Sequence, residues 1–188
     1  MKRTFILLSV LVLLFSVPFS ASAAGDVTAE LQERNHMDYD SVTDGEWVPI
    51  DGLNIEFWYS DSMFGLSSAS EDEFDDPTII AYLTYVVDYS EIYISAYRSD
   101  LDYEAYFEEL RKQYKDGELS SLEFFLLDGM PSALCTVEFD GEFGKYLDVC
   151  TGDNLYLGFM YFGTLPEDEE SIFTFLAEKT LFSVRRPK

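Results

Sequence analysis

The feature that most constrains this chain is a series of three short turn signals between β-rich segments in its C-terminal half. Asp128-Gly129, Asp140-Gly141 and Gly152-Asp153-Asn154 separate the stretches Ser121–Leu127, Ala133–Phe139, Gly144–Thr151 and Leu155–Phe162. These stretches are rich in β-branched and aromatic residues, which suit a pleated, half-buried surface. Asp-Gly supports the left-handed backbone of a tight hairpin. A parallel crossover needs about a dozen residues, so links this short join antiparallel neighbours. Residues 121–162 are therefore expected to form a four-stranded antiparallel meander.

Further strands are expected upstream. "WVPIDGLNIEFWYSD" gives Trp47–Ile50 and Asn54–Tyr59 around the turn Asp51-Gly52, and "TIIAYLTYVVD" and "EIYISAYRS" flank Tyr89-Ser90. Between them "SSASEDEFDDP" reads as a polar, acidic loop. The period then changes. Tyr103, Tyr106, Phe107, Leu110 and Tyr114 fall on one stripe of an α-helix, with Asp100 or Asp102 as N-cap and Gly117 as stop. Glu108 and Lys112 are spaced as an i,i+4 pair. A second helix is expected within "TLPEDEESIFTFLAEKT", where Thr164 and Glu167 match a capping box and Ile172, Phe173 and Leu176 supply the apolar face. The tail "FSVRRPK" reads as extended, with Arg185, Arg186 and Lys188 able to tether an acidic body. Each helix must bury its stripe against the sheet. The expected class is α+β, an antiparallel sheet of about six to eight strands with helices packed on its faces.

The N-terminus carries a different signal. Lys2 and Arg3 precede the apolar run "TFILLSVLVLLFSV", and Ala21-Ser22-Ala23 follows as a small-x-small site. This is the pattern of a secretory signal peptide over residues 1–23, cleaved before Ala24. Residues 24–46 read as a polar linker with one short helix at Thr28–Asn35, and residues 47–188 as one domain. The expected location is secreted, cell-surface or periplasmic, with no membrane insertion after cleavage. The formal net charge is −24, and removal of Lys2 and Arg3 brings it to −26. Such a potential repels nucleic acid and anionic lipid, leaving a protein or a small-molecule ligand as the expected partner.

The order of elements carries a family resemblance. "VPIDGLNIEFWYSD", the helix "YEAYFEELRKQYK", the stretch "LDGMPSALCTVEFDGEFGKYLDVCTGDNLYLGFMYFG" and the close "FLAEKTLFSVRR" follow one another over Trp47 to Arg185. This order resembles the PsbP-like fold, shared by an extrinsic photosystem protein, a Ran-binding nuclear import factor and many small exported bacterial proteins. The resemblance implies an antiparallel sheet with helices on both faces and, as a rule, no catalysis.

The chemical candidates are few. With a four-residue loop at Gly141–Gly144, Cys135 falls opposite Cys150 and a cross-strand disulfide forms in an oxidising compartment. With Cys135 and Val137 set against Val149 and Leu147, the two thiols point to opposite faces and stay separate. A zinc site needs two more nitrogen or sulfur ligands, and the only histidine is His36, in the linker. Glu71, Asp72, Glu73, Asp75 and Asp76 are a candidate Ca²⁺ loop, without the spacing of an EF-hand, and Ca²⁺ is the one cofactor considered. Tyr82, Tyr85, Tyr93 and Tyr97, with Tyr89 between them, are candidate lining for a ligand or protein surface. No nucleophile elbow, phosphate loop or His-Glu-x-x-His pattern occurs. Three readings follow: an exported non-catalytic binding or accessory domain, a hydrolase using acidic side chains, and a calcium-stabilised extracellular module.

Overall fold

The computed structural model describes residue 31 and residues 44–70, 74–139, 141–164 and 172–188. The expected signal peptide, the short helix at 28–35, His36 and the capping box at 164–167 lie outside these residues in whole or in part. Hairpins organise what is seen. Strands β1 (Glu46–Ile50) and β2 (Ile55–Tyr59) pair antiparallel as a separate two-stranded sheet. The main sheet has seven strands: β3 (Phe64–Ser68), β4 (Ile79–Tyr85), β5 (Glu91–Arg98), β6 (Ser121–Leu127), β7 (Met130–Phe139), β8 (Glu142–Gly152) and β9 (Leu155–Thr164). Their spatial order is β3-β4-β5-β9-β8-β7-β6, and every pairing is antiparallel. The class is α+β, as expected from the turns.

The turn chemistry is as the sequence implied. Asp128-Gly129 and Asp153-Asn154 hold positive φ at both central positions, the backbone of the tight turns that match strand twist. The link from β5 to β6 contains helix α1 (Tyr103–Asp116), which carries the chain to the far edge of the sheet. Asp102 caps α1 by accepting the Ala105 N–H at 2.9 Å, and Gly117 ends it at φ 80°. The expected pair Glu108–Lys112 is replaced by two i,i+3 pairs, Glu108 with Arg111 and Glu109 with Lys112. Tyr114 is exposed and Gln113 is buried in its place, so the buried stripe is narrower than the sequence suggested.

Strand β3 is an element the sequence does not announce: Ser67 and Ser68, expected in the acidic loop, belong to it. It is a short edge strand whose Gly65, Ser67 and Ser68 obscure any apolar alternation. The sheet has apolar residues on both faces, because alternate positions point opposite ways. On one face Leu83, Ile92, Ile94, Leu147, Val149, Leu157 and Phe159 meet β1, β2 and helix α2 (Ile172–Leu181). On the other face Ala133, Cys135 and Tyr156 lie under Tyr106, Phe107 and Leu110 of α1, and Leu31 packs there as well. The C-terminal tail closes the first layer. Arg185 and Glu56 exchange both backbone hydrogen bonds, at 2.9 and 3.0 Å, and their side chains pair at 2.6 Å. The Arg185 guanidinium also lies 3.3 Å above the Trp47 ring.

Candidate functional site

Two places concentrate polar chemistry or exposed apolar surface. The first is the carboxylate of Asp148, under α1. Even-numbered positions of β8 point to the α1 face, which puts Tyr146, Asp148 and Cys150 there. Asp148 stands opposite Gly158 of β9 and Ala133 of β7. These small residues leave room for the carboxylate. A Cβ at Gly158 would come within 2.5 Å of Ser95 Oγ and 3.2 Å of Asp148 Oδ1. Tyr106 of α1 donates its hydroxyl to Asp148 Oδ2 at 2.7 Å, and Tyr97 of β5 donates to Oδ1 at 2.9 Å. The Tyr156 ring stacks on Tyr97 and lies 4.9 Å from Tyr106, which closes the cluster.

Electrostatics follow from burial. Asp148 is 8% exposed, and burial pushes its carboxyl above the usual range, while the two tyrosine hydroxyls oppose that rise. Burial, then the nearby Asp148, pushes the Tyr97 and Tyr106 hydroxyls and the Cys135 thiol well up. Tyr146 is pushed up to about 12, chiefly by burial. Both carboxylate oxygens are thus held by phenols, and neither thiol nor phenol is poised to ionise near neutrality. The cluster acts as a clamp that ties α1 to β5 and β8. The residues that build it come from four elements, α1, β5, β8 and β9, and no local motif marks them.

The cysteines occupy the same face of the sheet but do not meet. Phe139 pairs with Glu142, so Cys135 faces Tyr146 and Cys150 faces Tyr156 of β9. This corrects both expected registers, which assumed a longer loop or a different apolar match. Both thiols are free and buried. Four residues separate Cys150 from the position opposite Cys135, about 13 Å along a strand at ~3.3 Å per residue. A disulfide needs Cα atoms roughly 4.4–6.8 Å apart.

The tyrosines are divided between environments. Tyr85 is buried on the α2 face against Phe64 and Phe173, so it is withdrawn from the candidate binding surface. It lies three residues from Tyr82, and an odd spacing on a strand reverses the face. Tyr82 and Tyr93 pair across β4 and β5, and Phe74 meets both rings at 5.3 and 5.8 Å. Tyr93 is buried and Tyr82 half-buried. Tyr97 belongs to the Asp148 clamp. These four therefore form no common exposed patch. Glu71, Asp72 and Glu73 lie outside the described residues. Asp76 accepts the Thr78 N–H at 2.8 Å and its hydroxyl at 2.7 Å, a local turn that opens β4. Among the described residues no group of three His, Cys, Asp or Glu is gathered as a metal site would require.

The second place is the tip joining β4 to β5. Val86, Val87 and Tyr89 are exposed there, Tyr89 by 78%. Tyr85 and Ser90 close the turn at 2.8 Å, and Asp88 accepts the Ser90 N–H at 2.9 Å. Tyr89 sits at φ 64°, in the left-handed region. Ile172 and Phe175 of α2 are exposed one turn apart, and Phe173 between them rests on Tyr85. The tip and the first turn of α2 thus stand at the same end of the molecule. Exposed Asp88 lies in the tip, and Val86 N–H bonds Met63 C=O at 3.0 Å, which brings 61–63 with exposed Asp61 alongside, while Glu91 is half-buried and accepts the Tyr93 hydroxyl. No described helix is long and apolar enough to cross a membrane. In comparison with known proteins, the chain matches no family model and no curated protein sequence.

Proposed function

We propose that this chain is an exported binding or accessory domain that acts by contact with a protein or small ligand. The observation that carries the reading is the exposed apolar tip of Val86, Val87 and Tyr89 on a strongly acidic chain. Scattered apolar residues on a surface are ordinary, whereas a grouped set rimmed by polar side chains marks an interaction site. The groups with reactive potential, Asp148, Cys135, Tyr97 and Tyr106, are engaged in holding α1 to the sheet. The PsbP-like resemblance, where it holds, implies a non-catalytic module and so supports the same reading. The pattern of residues 1–23 supports export. The test is affinity capture on the immobilised chain from the producing cells' medium and surface, run beside a hydrolase substrate panel. Specific retention of a macromolecule or small ligand is expected. Turnover of a substrate with nothing retained overturns the reading.

A further inference from the structure

We propose that the β4–β5 tip is a docking knob, with Tyr89 as its anchor, for a partner protein whose apolar pocket is flanked by Lys or Arg side chains. The inference rests on the binding-domain reading above and names the surface and its partner. Its first support is conformational. A left-handed backbone costs an L-residue roughly 1–2 kcal/mol and is most easily taken by Gly or Asn. At position 89 the chain instead carries a bulky aromatic, in that backbone and 78% exposed. The ring gains little from its own fold in return. Backbone outliers of this kind concentrate where function, not folding, selects the side chain. Tyrosine also suits the role, since a rigid amphipathic ring is enriched among interface hot spots.

The second support is charge complementarity. The knob is convex and apolar, through Val86, Val87 and Tyr89, so its receptor is concave and apolar. Exposed Asp88 lies within the knob and exposed Asp61 is drawn near through the Val86–Met63 backbone bond, on a chain with net charge −24. A neutral or acidic receptor rim would be repelled, whereas a basic rim is drawn in and oriented. The same argument disfavours an anionic lipid surface as the occupant.

The test places the photoreactive residue benzoylphenylalanine at position 87 of the full chain in the producing cells. Expected is a cross-link to a single protein, at a peptide beside Lys or Arg. That protein, once purified, should bind the wild-type chain with an affinity that falls as NaCl rises, and should bind the Tyr89→Asn chain at least tenfold more weakly. The same substitution should raise the melting temperature, because Asn tolerates the left-handed backbone. Loss of binding with gain of stability separates an anchor from a packing residue. Cross-linking only to lipid, or only to a second copy of this chain, overturns the proposal. So does a captured partner that binds Tyr89→Asn as tightly as wild type, an outcome that leaves the broader binding reading standing. If the immobilised chain retains nothing while the substrate panel shows turnover, the broader reading and the knob fail together.

Discussion

Burying a carboxyl with no cation beside it is costly, and Asp148 is such a case: its hydrogen-bond partners are the hydroxyls of Tyr97 and Tyr106. Burial raises its pKa above the ordinary 3.8, which fixes the sign of its effect on stability. Below 3.8 the proton is bound in both the folded and unfolded states, and the group is silent. As pH rises past that value the unfolded chain releases its proton first, so the fold loses stability until the buried carboxyl ionises as well. Asp148→Asn removes this dependence and keeps an acceptor and a donor for the two phenols. Relative to wild type, the variant should therefore gain stability between about pH 4 and pH 7. Chemical denaturation of both proteins at the two pH values checks this, and a gap that does not change with pH contradicts it. Tyr106→Phe should behave oppositely. It removes one of the two hydroxyls that favour the ionised carboxyl, so its cost, about 1–3 kcal/mol, should be larger where Asp148 is ionised than in acid where it is protonated. None of this was legible from the chain, because Asp148 lies 51 residues from Tyr97 and 42 from Tyr106. In one dimension Asp148 is simply another acid in a chain of 36 Asp and Glu.

Elements whose chemistry is local were readable. The meander β6–β9 followed from its turn residues, and α1 from its apolar period and its Asp102 and Gly117 caps. Elements fixed by distant partners were not. Strand β3 has its place only because β4 is beside it, and its Gly65 and serines give no alternating signal. The β7–β8 register shows the same limit in finer detail. Loop length decides the register, and a change from a four-residue loop to the pairing of Phe139 with Glu142 moves the cross-strand partner of Cys135 from Cys150 to Tyr146. The tyrosines of β4 and β5 look like one surface in sequence, but strand alternation and the Asp148 clamp assign them to three environments. The register has a direct chemical consequence. Both thiols are buried and free, so a thiol-reactive reagent under native conditions should modify neither at an appreciable rate, and both once denaturant is added. The intact mass should not change on reduction. A gain of about two mass units, the two hydrogens taken up when a disulfide opens, would mean that β7 and β8 pair in a different register.

At the scale of the whole molecule the dominant quantity is charge. A net charge of −24 on a chain of 188 residues sets carboxylates against one another, and compaction brings them closer. Local pairings such as Arg185 with Glu56 and Lys145 with Glu178 offset little of it, since 12 Lys and Arg face 36 Asp and Glu. Screening therefore favours the folded state. Between about 0.01 and 0.15 M ionic strength the Debye length falls from roughly 30 to 8 Å, less than the span of the domain. The melting temperature should climb over that interval of NaCl and then level off. The same titration separates diffuse screening from the calcium-stabilised reading. Asp75 is exposed and Asp76 is committed to Thr78, so the described part of the acidic loop gives Ca²⁺ little to grip. If charge alone acts, millimolar CaCl₂ added over 0.15 M NaCl should leave the melting temperature nearly unchanged. A specific site would instead stabilise by mass action, about 2.7 kcal/mol at a hundredfold excess over its dissociation constant, and would saturate. A saturable rise with CaCl₂ that MgCl₂ does not reproduce would return calcium to this chain and make the acidic loop, rather than the knob, its first functional feature.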